Sequence, residues 1–351
     1  MTRAQRSTLI KQIEQARNSK VITYICSTRL GASRDMLQMD LRYFYEHLKH
    51  IGKVNKIDLM LHSYGGDVTV PWRLVNLIKQ FCTEFNVIIP FFAFSAATLT
   101  SMGADSIVML PAATLGPTDP SYNGPFVPID GIQQKQPINV EDITSYLDFV
   151  KEDLKIESEE GRIESLKILS QSDTRIHPMV LGGSKRTSKL ARKYATDLLS
   201  LHMNPTTEKS KINKIVKTFS SDLYQHDHPI NREEAKRHGL KIIIENPQTE
   251  ALIWQLYEAY EDLMDMNEVY DFTIEFKKVN TTPLQLSTGT NIFPITITLP
   301  ALDMVIIGSE SLSYTYQILY EVTGLQFLDP QSNIKESYNS IIKSVKWVKD
   351  P

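Results

Sequence analysis

Residues 61–67, LHSYGGD, and residues 92–98, FAFSAAT, decide the fold prediction. Each follows a short apolar run that is typical of a buried strand, at residues 57–61 and 87–92. Ligands of open α/β sheets bind where such strands end, so we expect any chemistry of this chain at these two segments.

Strand and helix patterns alternate around these segments. Strands are predicted at residues 21–27, 57–63, 87–94 and 105–111, with helices between them. This order predicts an α/β fold with a parallel sheet. Beyond about residue 246 the pattern changes to a helix, an alternation from Val269 to Phe276 and two further strands. We therefore predict a large domain at residues 1–245 and a smaller C-terminal α+β module, residues 246–351, of unknown role.

The composition is typical of a folded, soluble-type sequence and argues against several classes of protein. The 351 residues are 42% hydrophobic and 23% charged, with a net charge of −3, which is typical of a folded protein and gives no electrostatic reason to expect nucleic acid. Cys26 and Cys82 lie among apolar residues, so we predict reduced thiols and a cytoplasmic protein. No apolar run reaches about 18 residues, which predicts no membrane partner.

We expect neither a cofactor nor a metal. The chain has no phosphate-binding loop and no dinucleotide glycine motif. His226 and His228 form only a His-x-His pair, which is too few ligands for zinc.

Ser95 is the candidate nucleophile. It stands between a predicted strand and a helix of small residues, where the Ala96 N–H could stabilise an oxyanion. Gly65 and Gly66 could supply a second donor, because glycine lets the backbone approach a substrate closely. The alternative is that Ser95 caps the helix and that the glycines form a turn.

Five segments together resemble a known family. They are residues 61–67, 94–98, 104–109, 115–120, and 225–230 with 234–240. In order and spacing they resemble the serine dehydrogenase proteinase family of the Clp protease and crotonase superfamily, which is related to signal peptide peptidase A. The resemblance implies a Clp/crotonase-like stack of β-β-α units, homo-oligomers and serine peptidase activity.

The sequence departs from the Clp pattern at the general base. Residues 116–120 read GPTDP, without the histidine that Clp proteases carry there, whereas Asp227 falls near the Clp aspartate. Signal peptide peptidase A uses a lysine at the start of a later helix, which makes Lys185, at the start of a helix predicted from about Ser184 to His202, the first candidate.

His226 is the second candidate for the base, with Asp227 or Asp119 orienting its ring. Each candidate also has an ordinary structural interpretation. Lys185 could belong to a solvated basic helix face, and His226 could be a packed loop residue. Asp119 lies between Thr118 and Pro120, so it could serve only to form a turn.

The sequence therefore predicts a serine endopeptidase that hydrolyses peptide bonds through a Ser95 acyl-enzyme, as a Ser-Lys dyad or a Ser-His-Asp variant. Its expected partners are a peptide or protein substrate and further copies of itself, and the C-terminal module could bind a protein partner. The alternative is a catalytically inactive scaffold that keeps the fold and has lost the base. Acyl-CoA chemistry on the crotonase scaffold has less support.

Overall fold

The computed structural model describes residues 1–122, 124, 126–127, 138–156, 158–171, 176–223, 228–288 and 291–350. Its helices are α1 (Arg3–Arg17), α2 (Leu41–Ile51), α3 (Val70–Lys79), α4 (Ala96–Met102), α5 (Val140–Asp148), α6 (Glu159–Gln171), α7 (Pro178–Leu199), α8 (Lys209–Lys217), α9 (Arg232–Arg237), α10 (Pro247–Leu263) and α11 (Phe272–Val279). A 3-10 turn at Gln38–Asp40 precedes α2, and π-helical turns follow α5 and α8 at Phe149–Asp153 and Thr218–Asp222.

The strands are β1 (Lys20–Cys26), β2 (Thr28–Arg29), β3 (Ala32–Ser33), β4 (Val54–His62), β5 (Cys82–Ile89), β6 (Phe92–Ala93), β7 (Ser106–Met109), β8 (Thr114–Leu115), β9 (Ser121–Tyr122), β10 (Ile138–Asn139), β11 (Ile230–Asn231), β12 (Ile242–Ile243), β13 (Leu286–Ser287), β14 (Ile295–Thr298), β15 (Leu302–Gly308), β16 (Ser313–Leu328) and β17 (Ile334–Lys349). The α/β class predicted from the alternation is confirmed. Among the described residues, no helix combines the length and the apolar character needed to cross a bilayer.

The chain divides into two compact units. The first contains residues 1–64, 81–84 and 245–351, and the second contains residues 65–80 and 85–244. One break thus falls beside the predicted boundary at residue 245, but the N-terminal residues group with the C-terminal ones.

In the first unit, β1 lies between a parallel and an antiparallel neighbour. It pairs with β4 from Lys20↔Ile57 to Ile25↔His62, and with β15 through Thr23↔Gly308. The strand order is β4-β1-β15-β16-β13, with β14 and β17 also paired to β16. The C-terminal residues therefore extend the sheet of β1, where the sequence predicted a separate module.

Ion pairs lie inside this unit. The Arg17 guanidinium donates to both carboxylate oxygens of Asp58, at 2.5 and 3.1 Å. Arg34 binds Asp40 in the same two-pronged way, at 2.9 and 2.7 Å, and the Tyr24 hydroxyl also donates to Asp40, at 2.6 Å. Such pairs satisfy charges that would be costly to bury alone.

The second unit contains a parallel sheet in the order β12-β7-β5. Helices α3, α4 and α7 pack closely beside one another, since a Cβ at Gly103 would lie 2.8 Å from Leu198 and 2.9 Å from Val75. The predicted strand at residues 87–94 is interrupted after β5, at Pro90 and Phe91. Its last residues form β6, which joins a separate small sheet in the order β11-β8-β6.

Candidate active site

Ser95 occupies the sharp turn between β6 and α4. Its backbone has φ 51° and ψ −113°, a conformation that residues with a side chain seldom adopt. Strained residues cluster at functional sites, and the serine of α/β hydrolases stands on a similar strand-to-helix turn that exposes its hydroxyl. The Ser95 side chain makes no capping hydrogen bond to α4. Its hydroxyl therefore does not play the capping role that was the alternative interpretation.

The glycine turn lies directly against this serine. Gly65 and Gly66 have φ values of 111° and 144°, which favour glycine. A Cβ at Gly65 would lie 2.7 Å from the Phe94 carbonyl oxygen and 2.8 Å from Ser95 Cβ. The two segments that the sequence singled out are therefore adjacent, and a side chain at Gly65 would collide with the serine turn.

Ala96 is the first residue of α4. At this position the geometry of a helix provides no carbonyl acceptor for the backbone N–H. The amides that follow are used inside the turn, because Ala97 N–H donates to the Phe94 carbonyl at 2.9 Å and Leu99 N–H donates to the Ser95 carbonyl at 3.0 Å. The Ala96 amide thus has the position, next to a serine hydroxyl, that an oxyanion donor requires.

Thr98 connects α4 to the loop that follows β8. Its hydroxyl lies 2.8 Å from the Ala93 carbonyl oxygen and 2.9 Å from that of Gly116, and it accepts the Gly116 N–H at 3.2 Å. A Cβ at Gly116 would lie 2.9 Å from the Phe94 ring. The loop that begins at Gly116 is therefore fixed beside the Ser95 turn.

Asp119 lies in this loop and is 5% exposed. Its neighbour Thr118 is anchored through its backbone N–H, which donates to the Phe219 carbonyl at 2.7 Å. The structure thus places a buried carboxyl group in the segment that contacts the serine turn through Gly116.

The small sheet brings a third segment to the same region. Ile230 of β11 pairs with Leu115 of β8, and Leu115 pairs with Ala93 of β6. Strand β11 therefore lies in the same small sheet as β6, the strand that leads to the serine. The predicted His226 and Asp227 precede β11 but lie outside the described residues.

A histidine and carboxylate cluster lies at the start of α9. His228 Nε2 and His238 Nε2 lie 2.9 and 3.5 Å from the same Glu234 oxygen. Burial raises the pKa of the Glu234 carboxyl group, but the hydrogen bonds from His228 and His238 outweigh it and leave the pKa below its usual range.

This cluster was not predicted from the sequence. Asn231 caps α9, since it accepts the N–H groups of Glu233 and Glu234 at 3.1 and 3.0 Å. The spacing of His228 and His238, six residues before Glu234 and four after it, was the signal for the cluster.

Lys185 does not lie at the start of its helix. Helix α7 begins at Pro178, with His177 as its cap, so the predicted start at Ser184 is wrong and Lys185 falls in the third turn. Lys185 is exposed. Among the described residues, no hydrogen bond joins Lys185 to Ser95. The structure thus brings together Gly65, Ser95, Ala96 and the loop of Asp119, whereas Lys185 is an exposed residue of α7.

The described residues contain no group of three or more His, Cys, Asp or Glu side chains that could hold a metal ion.

The fold is of the α/β class, and Ser95 lies on a strand-to-helix turn within it. Residues 1–167 match the family described as ClpP-like SDH-type serine proteinase. The resemblance predicted from the sequence is therefore confirmed for these residues.

Curated and solved proteins show more distant similarity. The chain is 25% identical over 260 residues to Uncharacterized protein MJ0137 of Methanocaldococcus jannaschii, covering 71% of this chain and 77% of that one. A mutant of the 1510-N membrane-bound stomatin-specific protease is 16% identical, with a TM-score of 0.34, covering 60% of this chain and 76% of that one. A mutant of ClpP1 from Listeria monocytogenes is 15% identical, with a TM-score of 0.33, covering 68% and 97%.

Proposed function

We propose that this protein is a serine peptidase that cleaves peptide bonds through an acyl-enzyme on Ser95. The observation that carries the proposal is the strained backbone of Ser95, at φ 51° and ψ −113°, in contact with the glycine turn. A serine held this way presents its hydroxyl at the end of a strand, and the strain is offset by the packing around it.

In this proposal the base takes the Ser95 Oγ proton as the oxygen attacks the carbonyl carbon of the scissile peptide bond. The resulting oxyanion accepts hydrogen bonds from the Ala96 N–H and from the backbone at Gly65 and Gly66, a contribution of about 3 to 4 kcal/mol per donor in other enzymes. The base then gives the proton to the leaving amine, the C–N bond breaks, and water hydrolyses the acyl ester.

The base is His226 or Lys185, and we favour His226. Lysine acts as a base only where burial or a neighbouring cation lowers its pKa, and Lys185 is exposed in the third turn of α7. His226 stands four residues before Ile230 of β11 in the sequence, and β11 shares a small sheet with β6, the strand that leads to Ser95. Asp227 or the buried Asp119 would orient its ring.

Fluorophosphonate labelling followed by peptide mapping tests this proposal. We expect the label on Ser95 in the wild type, no label in Ser95→Ala, and strongly reduced labelling in His226→Ala but not in Lys185→Ala. Lys135→Ala belongs in the same series, because Lys135 is the one basic residue of segment 115–137, whose first residues contact the serine turn. Loss of labelling in Lys135→Ala alone would move the base to that lysine.

A folded wild type that takes no label would contradict the proposal and support the alternative, a catalytically inactive scaffold. The absence of a histidine at residues 116–120 is the observation that favours this alternative. Cleavage of a casein substrate, lost in Ser95→Ala, would show that the labelled serine hydrolyses peptide bonds.

Homo-oligomeric assembly, a cytoplasmic location and a peptide or protein substrate are part of the same proposal. They are supported by the ClpP-like family match of residues 1–167 and by the composition of the chain. Gel filtration with light scattering of the purified chain tests the assembly.

A further inference from the structure

A cavity lies in the second unit, at the amino-terminal edge of its parallel sheet. Asp105 directly precedes β7, Lys241 directly precedes β12, and both residues line the cavity. The chain reaches Ser95 only beyond the carboxyl end of β5, so the cavity lies at the other end of the sheet from the candidate active site. A cavity of about 150 Å³ is enough for benzene, so this cavity of about 230 Å³ admits a molecule of about nine non-hydrogen atoms.

Part of the cavity lining is apolar. Leu199, Met203 and Leu240 belong to it, and all three side chains are buried in the protein. Removing apolar surface from water is favourable, so such a lining favours a ligand that carries an aliphatic group.

The lining also contains two carboxylates that are paired to different degrees. Asp105 has a close partner, since its two carboxylate oxygens lie 3.1 and 3.0 Å from Lys79 Nζ. Glu208 is paired less closely, because one oxygen accepts the Asn204 N–H at 3.0 Å and the other lies 3.7 Å from Lys211 Nζ. Glu208 can therefore accept a further hydrogen bond from a cationic group of a ligand.

Lys241 and His202 add a cation and a neutral acceptor to the lining. Lys241 is exposed, and within the part of the chain that the structure describes no ion pair involves it. His202 Nε2 lies 2.9 Å from the Met102 carbonyl oxygen, and burial lowers the pKa of His202. The neutral ring therefore donates from Nε2 and keeps Nδ1 as an acceptor. The lining thus offers a cation to an anionic group and acceptors to a cationic group.

We propose that this cavity binds a free α-amino acid with an aliphatic side chain, such as leucine. The carboxylate of the ligand binds the Lys241 ammonium group, its own ammonium group donates to Glu208 and to His202 Nδ1, and its side chain contacts the apolar lining. Leucine has about nine non-hydrogen atoms, which is the size that the cavity admits.

Isothermal titration calorimetry of the full chain tests the site, with L-leucine as the probe. Each of three analogues lacks one group: L-leucinamide has no carboxylate, 4-methylpentanoate has no ammonium group, and glycine has no side chain. We expect saturable binding of L-leucine at millimolar concentrations or below, and at least tenfold weaker binding of each analogue. No saturable binding of L-leucine, or an analogue that binds as tightly as L-leucine, would overturn the proposal.

Two lysine variants assign the binding to this cavity. Lys241→Met removes the cation of the lining and should weaken L-leucine binding at least tenfold. Lys236→Met is the matched control, because Lys236 is exposed on α9 and does not line the cavity, so this variant should bind as the wild type does. Equal affinity of the two variants would overturn the proposal.

Ser95→Ala separates this proposal from the proposed peptidase activity. The variant should bind L-leucine with unchanged affinity, because the cavity lies at the other end of the sheet from Ser95. Loss of binding in Ser95→Ala would move the ligand to the candidate active site and overturn the proposal. An inactive Ser95 would leave the expected binding results unchanged.

Discussion

The two units of the chain hold their important polar groups in different ways. In the first unit, Asp40 and Asp58 are fully buried and bound by arginines in two-pronged pairs, so burial of charge is matched by hydrogen bonds. In the second unit, the polar group of interest is the Ser95 hydroxyl, which sits on a strained backbone and does not cap its helix. The ion pairs of Asp40 and Asp58 thus stabilise the fold, whereas the strained conformation of Ser95 must be maintained by the packing around it.

Breaking a buried ion pair of the first unit should cause the largest loss of stability. Asp40→Ala removes the carboxylate that pairs with the buried Arg34 guanidinium and accepts from the Tyr24 hydroxyl, so we expect the free energy of unfolding to fall by about 3 to 5 kcal/mol. Urea denaturation measures this. Glu46→Ala, which removes an exposed pair with Lys49, is the control and should change stability by less than about 1 kcal/mol. Equal effects of the two variants would contradict the distinction.

Filling the glycine turn should have the next largest effect. Gly65→Ala forces a side chain into the Phe94 carbonyl and Ser95 Cβ at a positive φ, and we expect a loss of about 3 kcal/mol together with loss of Ser95 labelling. Gly52→Ala is the matched control, because Gly52 has φ 74° but no atom within 4 Å of the added Cβ. There we expect about 1 kcal/mol and unchanged labelling. If Gly65→Ala and Gly52→Ala lower the free energy of unfolding equally, the close contact at Gly65 does not contribute to stability.

Acid should weaken the first unit through His47. Burial lowers the pKa of His47 from 6.5 to about 4, while its ring nitrogens lie 3.0 Å from the Ile307 carbonyl oxygen and 2.9 Å from the Ser309 hydroxyl. In the unfolded chain His47 takes up a proton below about pH 6.5, whereas in the folded chain its lowered pKa delays protonation until about pH 4. The contribution of His47 to stability is therefore complete above pH 6.5 and is lost as the pH falls toward 4.

Between pH 7 and pH 5 this linkage amounts to about 2 kcal/mol, which urea unfolding at both values measures. His47→Gln should have a smaller pH dependence by that amount. The same slope in both proteins would show that other groups account for the acid sensitivity.

The smallest expected effect is at Ser95 itself. Glycine adopts a positive φ without strain, so Ser95→Gly should be more stable than Ser95→Ala by about 1 kcal/mol, although neither variant can take the label. Differential scanning calorimetry of the two variants compares them directly. A Ser95→Ala protein as stable as Ser95→Gly would mean that the turn stores no strain.

The alternation of strands and helices in the first half of the chain could be predicted because these elements bury one face or both. The Asn231 cap of α9 and Pro71 at the start of α3 agree with the ordinary sequence preferences of helix ends. The adjacency of Gly65 and Ser95 followed from the rule that strand ends meet at one edge of a sheet.

Other features depended on tertiary contacts. The helix predicted from about Ser184 begins at Pro178 instead, because α7 continues through Gly182 and Gly183, and a Cβ at Gly183 would lie 2.4 Å from the Tyr122 ring. That helix begins with a histidine cap, which sequence rules seldom anticipate.

In the C-terminal residues, the alternation from Val269 to Phe276 proved to lie partly in α11, which begins after an Asp271 cap. The hairpin of β16 and β17 was missed because β17 is exposed along most of its length and so lacks the polar and apolar alternation of a half-buried strand.

The pairing of β1 with β15 has a consequence for biosynthesis. Thr23 emerges from the ribosome long before its partner Gly308, and at ordinary elongation rates the interval is on the order of tens of seconds. Residues 65–80 and 85–244 are complete before β15 exists, so the second unit can fold during synthesis while β1 still lacks one neighbour. Strand β1 is thus the first strand synthesised but among the last to gain both of its neighbours, so one of its edges stays unpaired on the nascent chain until β15 is made.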